Sequence, residues 1–278
     1  MAFIKAGTAS QPIHLEYTDL GTGPNTVVLI HGWPASYRMW EYQLNELPRH
    51  GLRVVAYTRR GFGLSDQPWD GYDYDTFAAD LKAVLEALDL QHVTLVGFSM
   101  GGGEVVRYMA RYGGARVKKV ALVSAVTPYL LQTADNPNGA PQSVFDGMAE
   151  KIKADRPAFL ADFGKAFFGV GLISHPVSQP TLDWMQTMCL QGSPRATERC
   201  VRAFSETDFR QDLESLRGVP TLIIHGSEDA TVPPAVSGDR TAQLLPDAEY
   251  LVYDGAPHGL FVIEKDRLNQ DLLAFINS

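Results

Sequence analysis

The chain has 278 residues, 45% of them hydrophobic and 20% charged, which suits one large globular α/β unit and excludes a disordered polypeptide. Its 32 acidic and 24 basic residues leave a net charge of −8, and no Lys/Arg run exceeds two residues, so neither a nucleic acid nor an anionic membrane is expected as a partner. The opening MAFIKAGTAS lacks the apolar core of a signal peptide, and no apolar run nears the roughly 18 residues of a membrane span, which points to a cytoplasmic chain. Cys189 and Cys200 match neither a disulfide framework nor a zinc spacing and read as reduced thiols.

In chain order, IHLEYTDL and TVVLIHG read as two strands forming a hairpin across GTGPN. YRMWEYQLNEL reads as helical and RVVAY as a strand. Between Asp75 and Asp89, Phe77, Leu81, Val84, Leu85 and Leu88 follow the helical period, predicting a helix with one face on a sheet. HVTLV is a strand, GGEVVRYMARY a helix and KKVALVSAV a further strand. PTLIIHG and EYLVY are the last strands, and a helix from Asp266 to Ile276 closes the chain. Strands apolar on both faces that alternate with helices predict a mostly parallel, doubly wound sheet.

One segment breaks this alternation. Residues 127–217 carry Pro-rich turns and helical patches bearing Phe145, Phe159, Phe163, Phe167, Phe168, Trp184, Met185 and Met188. The reading is a helical cap inserted between late strands of a core made of residues 1–126 and 218–278. Most of those aromatics would glue cap to sheet, while a minority would line an apolar pocket between the layers.

The chemistry centres on GFSMGG. Ser99 follows a predicted strand and opens a predicted helix, with Gly97 and Gly101 two residues to either side, the context of a nucleophile held on a sharp turn. The helix points its N-terminal amides toward a developing oxyanion. A hydroxyl needs a base and an orienting acid, sought after later strands in the order acid, then histidine. After PTLIIHG come Glu228 and Asp229, of which the shorter acid one residue further on is preferred. His258, between Pro257 and Gly259 after the last strand, is the candidate base, whereas His225 at a strand end reads as structural. The backbone N–H groups of Met100 and of Trp33, in LIHGWP, are the candidate oxyanion donors. The substrate pocket is expected to draw on Trp33, Pro34, Phe98, Phe163, Val232 and Leu260.

HGWPASYRMW, YTRRGFGLSDQP, GYDYDTFAADL, LVGFSMGGGEVVRYMARYG, DNPNGAP, AFSETDFR, HGSEDATVP and APHGL together resemble the α/β-hydrolases known as bacterial non-heme haloperoxidases, perhydrolases and arylesterases. The resemblance runs nearly end to end and implies a triad of Ser99, Asp229 and His258 with Trp33 and Met100 as oxyanion donors. It further implies a serine esterase acting on small carboxylic esters, in which hydrogen peroxide can replace water and give a halide-oxidising peracid. No heme, flavin or metal is expected, in keeping with the lack of H-E-x-x-H, Cys-x-x-Cys and a dinucleotide glycine fingerprint. Relatives commonly read Y-D-R-R-G where Thr58 stands here, and they often assemble into homo-oligomers. Amide or lactam hydrolysis by the same residues, and a ligand receptor on the same fold, are the alternative readings.

Overall fold

The computed structural model describes residues 2–278. Its centre is one sheet of eight strands: β1 (Ala2–Gly7), β2 (Pro12–Leu20), β3 (Asn25–Ile30), β4 (Leu52–Tyr57), β5 (Val93–Phe98), β6 (Val117–Val123), β7 (Thr221–Gly226) and β8 (Glu249–Tyr253). Their order across the sheet is β1-β2-β4-β3-β5-β6-β7-β8. β2 runs antiparallel to both its neighbours, and every other pair is parallel.

The expected hairpin between β2 and β3 is absent, because β4 lies between them. Burial explains the exchange. Val27 to Ile30 of β3 have no solvent exposure, so this strand belongs in the sheet centre between β4 and β5. β2 alternates exposed and buried residues over its first half and suits a position near the edge. There it meets β1, a strand absent from the sequence reading, in which Ile4 and Ala6 turn inward and Phe3 and Lys5 outward.

The period of two sorts central side chains into two cores. Val28, Ile30, Val55, Tyr57, Leu95 and Leu122 pack under α2 (Tyr74–Ala87) and α3 (Met100–Tyr112). Val27, Leu29, Val54, Ala56, Val96 and Ala121 pack on the opposite face, under α1 (Glu41–Glu46) and the C-terminal helix (Lys265–Asn277). α2 shows how sequence makes such a layer. Asp73 caps it by accepting the Thr76 N–H at 2.9 Å. Its Phe77, Leu81, Val84 and Leu85 are fully buried, each worth roughly 1.5–3 kcal/mol against exposure.

Between the paired strands β6 and β7 the chain leaves the sheet and forms α4 (Gln142–Phe167), α5 (Gln179–Leu190) and α6 (Pro194–Glu206). α4 is kinked: Asp155 departs from helical geometry, Pro157 follows, and Asp155 Oδ1 accepts the Ala158 N–H at 3.0 Å to restart the helix. After β7 come α7 (Gly238–Leu244), β8, α8 (Leu260–Ile263) and the C-terminal α9 (Lys265–Asn277).

Candidate active site

Ser99 sits between the last residue of β5 and the first of α3, with φ 53° and ψ −119°. A non-glycine residue in that region is strained and is held there by its surroundings. The flanking glycines have a steric cause. A β-carbon on Gly97 would lie 2.5 Å from the Gly101 carbonyl oxygen, and one on Gly101 would lie 2.5 Å from that of Ile30. Any side chain at either position would push α3 away from β3 and β5. The Ser99 N–H donates to the Val123 carbonyl at 2.9 Å, which ties the turn to β6.

The Ser99 hydroxyl donates to His258 Nε2 at 3.0 Å. His258 Nδ1 lies 2.6 Å from Asp229 Oδ2, and since a carboxylate only accepts, the imidazole proton sits on Nδ1. Asp229 Oδ1 accepts the Thr231 and Val232 amides at 3.0 and 2.8 Å. Glu228 is exposed, so of the two acids Asp229 meets the histidine. Burial by itself would raise the Asp229 carboxyl, but His258 and His225 beside it outweigh burial and hold it below the usual carboxylate range. His225 is buried, donates from Nε2 to the Val232 carbonyl at 2.8 Å, and lies 3.3 Å from Asp229 Oδ2. It thus braces the loop that carries the acid. The His258 loop is pinned where Gly259 donates to the Phe167 carbonyl at 2.8 Å, and the rings of Phe98 and Phe167 each lie 4.8 Å from the imidazole.

Trp33 follows β3 and bridges the two layers. Its indole N–H donates to the Thr197 carbonyl at 3.0 Å, and its ring packs edge-on against Phe163 at 5.2 Å and near Phe204 at 5.5 Å. Its backbone N–H and that of Met100, at the first turn of α3, donate to no protein acceptor among the described residues. Beneath Trp33, His31 donates from Nδ1 to the Gly32 carbonyl at 2.8 Å and accepts the Arg59 N–H on Nε2 at 2.9 Å. Burial and the Arg59 guanidinium hold His31 well below its ordinary value against the Gly32 carbonyl, so it stays neutral, as this bonding requires. Thr58 also finds partners: its hydroxyl donates to Glu16 Oε2 and accepts the Tyr37 N–H, both at 3.3 Å. The carboxylate of the buried Glu16 thus serves this loop from a neighbouring strand.

A cavity of about 760 Å³ opens over Ser99 and His258. Trp33, Phe163 and Val232 line it as expected from the sequence, joined by Phe145, Met148, Phe159 and Phe204. Pro34, Phe98 and Leu260 do not reach it. Pro34 is buried in a turn closed by the Ala35 N–H on the Gly32 carbonyl at 3.1 Å. Phe98, next to Ser99 in an extended strand, points to the opposite face and packs on Trp40 and Phe261. Leu260 begins α8 and turns into the core with no exposure. Phe204 and Met148 escaped the sequence reading, although AFSETDFR and the period of α4 carry them.

Comparison with known proteins decides the family. Residues 25–265 match the α/β-hydrolase fold model. A non-heme chloroperoxidase from Kitasatospora aureofaciens is 40% identical over 97% of this chain and 98% of its own. The chain belongs to the α/β-hydrolase family. A bifunctional esterase/perhydrolase from Acinetobacter calcoaceticus is 39% identical over 98% of this hydrolase and 99% of its own chain. Among solved structures, a bromoperoxidase from Bacillus anthracis superposes with a TM-score of 0.95 at 46% identity, covering 100% of both chains. These relatives place the hydrolase in the haloperoxidase, perhydrolase and esterase branch, and none of its helices is long and apolar enough to cross a membrane among the described residues.

Proposed function

We propose that this hydrolase cleaves small carboxylic esters through a Ser99 acyl-enzyme and also transfers the acyl group to hydrogen peroxide. The observation that carries the reading is the hydrogen-bonded line from Asp229 through His258 to Ser99, 2.6 and 3.0 Å long, whose histidine and serine line the cavity. Ser99 Oγ attacks the ester carbonyl while His258 Nε2 takes its proton, and Asp229 holds the imidazole orientation and stabilises the cation that forms. The N–H groups of Trp33 and Met100 stabilise the oxyanion, such donors being worth about 3 kcal/mol each. His258 then protonates the departing alkoxide.

In the second half, His258 draws a proton from water, giving a carboxylic acid, or from hydrogen peroxide, giving a peracid, and returns it to Ser99. Peracid released in this way oxidises halide without any cofactor. The chloroperoxidase, esterase/perhydrolase and bromoperoxidase relatives support this branch of the reading. Ser99→Ala should lower ester turnover by several orders of magnitude, leaving roughly 10³–10⁴-fold over water. A fluorophosphonate should add one phosphonyl mass to the native protein and none to the variant. Retention of a tenth of the activity by Ser99→Ala would remove Ser99 from the mechanism.

A further inference from the structure

We propose that Met148 is an internal target of the peracid made at Ser99, and that its conversion to the sulfoxide retunes the cavity. The inference rests on the perhydrolysis reading above. Of the seven methionines, Met39, Met100, Met109, Met185 and Met188 are buried within the two cores or beneath α3, and Met1 lies outside the described residues. Met148 alone among the described methionines is half-buried on the wall of the cavity that contains Ser99 and His258. A peracid formed at Ser99 therefore shares one cavity with this thioether.

Chemistry and concentration favour that encounter. A thioether is the softest nucleophile on a wall otherwise built mainly of phenylalanine, valine and alanine. One peracid molecule held within 760 Å³ corresponds to a local concentration of about 2 M for as long as it stays there. In the step itself the O–O bond of the peracid breaks and its terminal oxygen bonds to Met148 Sδ. The carboxylic acid leaves carrying the proton. Sulfur loses two electrons and the peracid gains them, so no further oxidant is needed. The sulfoxide is polar and chiral, and it would place a dipole on the same apolar cavity wall as Phe145, Phe159 and Phe163. Apolar esters should then bind less well, and a thiol-dependent sulfoxide reductase would restore the wall.

The test incubates the full chain with acetate and hydrogen peroxide, with free methionine added to scavenge released peracid. Peptide mapping follows Met148 and Trp33, and peracid is measured in parallel without scavenger. Met148 sulfoxide should form at least about tenfold faster than with peroxide alone or in Ser99→Ala, reflecting the local concentration. KM for a phenyl ester should rise in step with the sulfoxide, and in Met148→Leu this drift should vanish. Peracid production with Met148 oxidised no faster than by peroxide alone overturns the inference and leaves perhydrolysis standing. So does oxidation directed to Trp33 instead. Absence of peracid overturns both.

Discussion

The Nε–H of Arg59 donates to Glu104 Oε2 at 2.6 Å, and neither side chain has any solvent exposure. The pair joins the segment after β4 to α3, whose first residue, Met100, supplies one candidate oxyanion donor. Arg59 also donates from Nη2 to the His31 carbonyl at 3.0 Å, and Tyr57 donates to the other Glu104 oxygen. Through His31 and Gly32 the same ion pair supports Trp33, the other donor. Two amides from distant parts of the chain are thus referenced to one buried charge pair.

Breaking that pair on one side should be costly. Glu104→Ala leaves a buried guanidinium uncompensated and should lower stability by about 3–5 kcal/mol in urea unfolding. Arg59 Nη1 already lacks a partner, so replacing both residues with apolar ones of similar volume, Arg59→Met with Glu104→Leu, should recover most of the loss. A double variant no more stable than Glu104→Ala would show that the network, rather than charge burial, carries the energy.

Asp229 and Glu228 separate cleanly in the structure and should separate in kinetics. Asp229→Asn should lower turnover by roughly 10⁴ by disturbing the His258 tautomer. Glu228→Gln, altering an exposed side chain, should change it little. Steady-state kinetics on a phenyl ester decides, and comparable losses in both variants would argue against the assigned acid.

The depressed Asp229 carboxyl has a consequence for stability. Because its folded value lies below the unfolded reference of about 3.9, it contributes stability that is fully present above that pH and is lost as pH falls toward the folded value. Urea midpoints measured from neutral pH into this acidic window should fall more steeply for the native protein than for Asp229→Asn. Parallel curves would mean that the carboxyl titrates normally.

Burial pushes the thiols of Cys189 and Cys200 up to about 12. Neither should react with a disulfide reagent at pH 8 in the folded state, since the thiolate is the nucleophile. Two thiols should appear on unfolding in denaturant. Fast labelling of either thiol in the folded protein would show local opening of the helices between β6 and β7.

Much of the site was legible in sequence because it is written in local chemistry. Gly97 and Gly101 mark a turn where backbones meet, and Asp229 and His258 each follow an apolar strand, so strand ends delivered them to one edge of the sheet. Trp33 and Val232 could be named for the pocket from the turns they occupy after strands β3 and β7, and Phe163 as one of the aromatics of the inserted helices.

What the sequence alone left open was set by packing at a distance. The GTGPN turn is compatible with a hairpin of β2 and β3, and only the burial of β3 between β4 and β5 puts β2 on the far side of β4 instead. Phe98 was misplaced because a neighbour of the nucleophile in sequence points to the opposite face of an extended strand. The Arg59–Glu104 pair was silent for the same reason: its members lie 45 residues apart, and no local pattern records that one meets the other. Composition and turn chemistry act between neighbours along the chain. Which side chains share a cavity or a buried charge is decided only when the sheet closes and water is excluded.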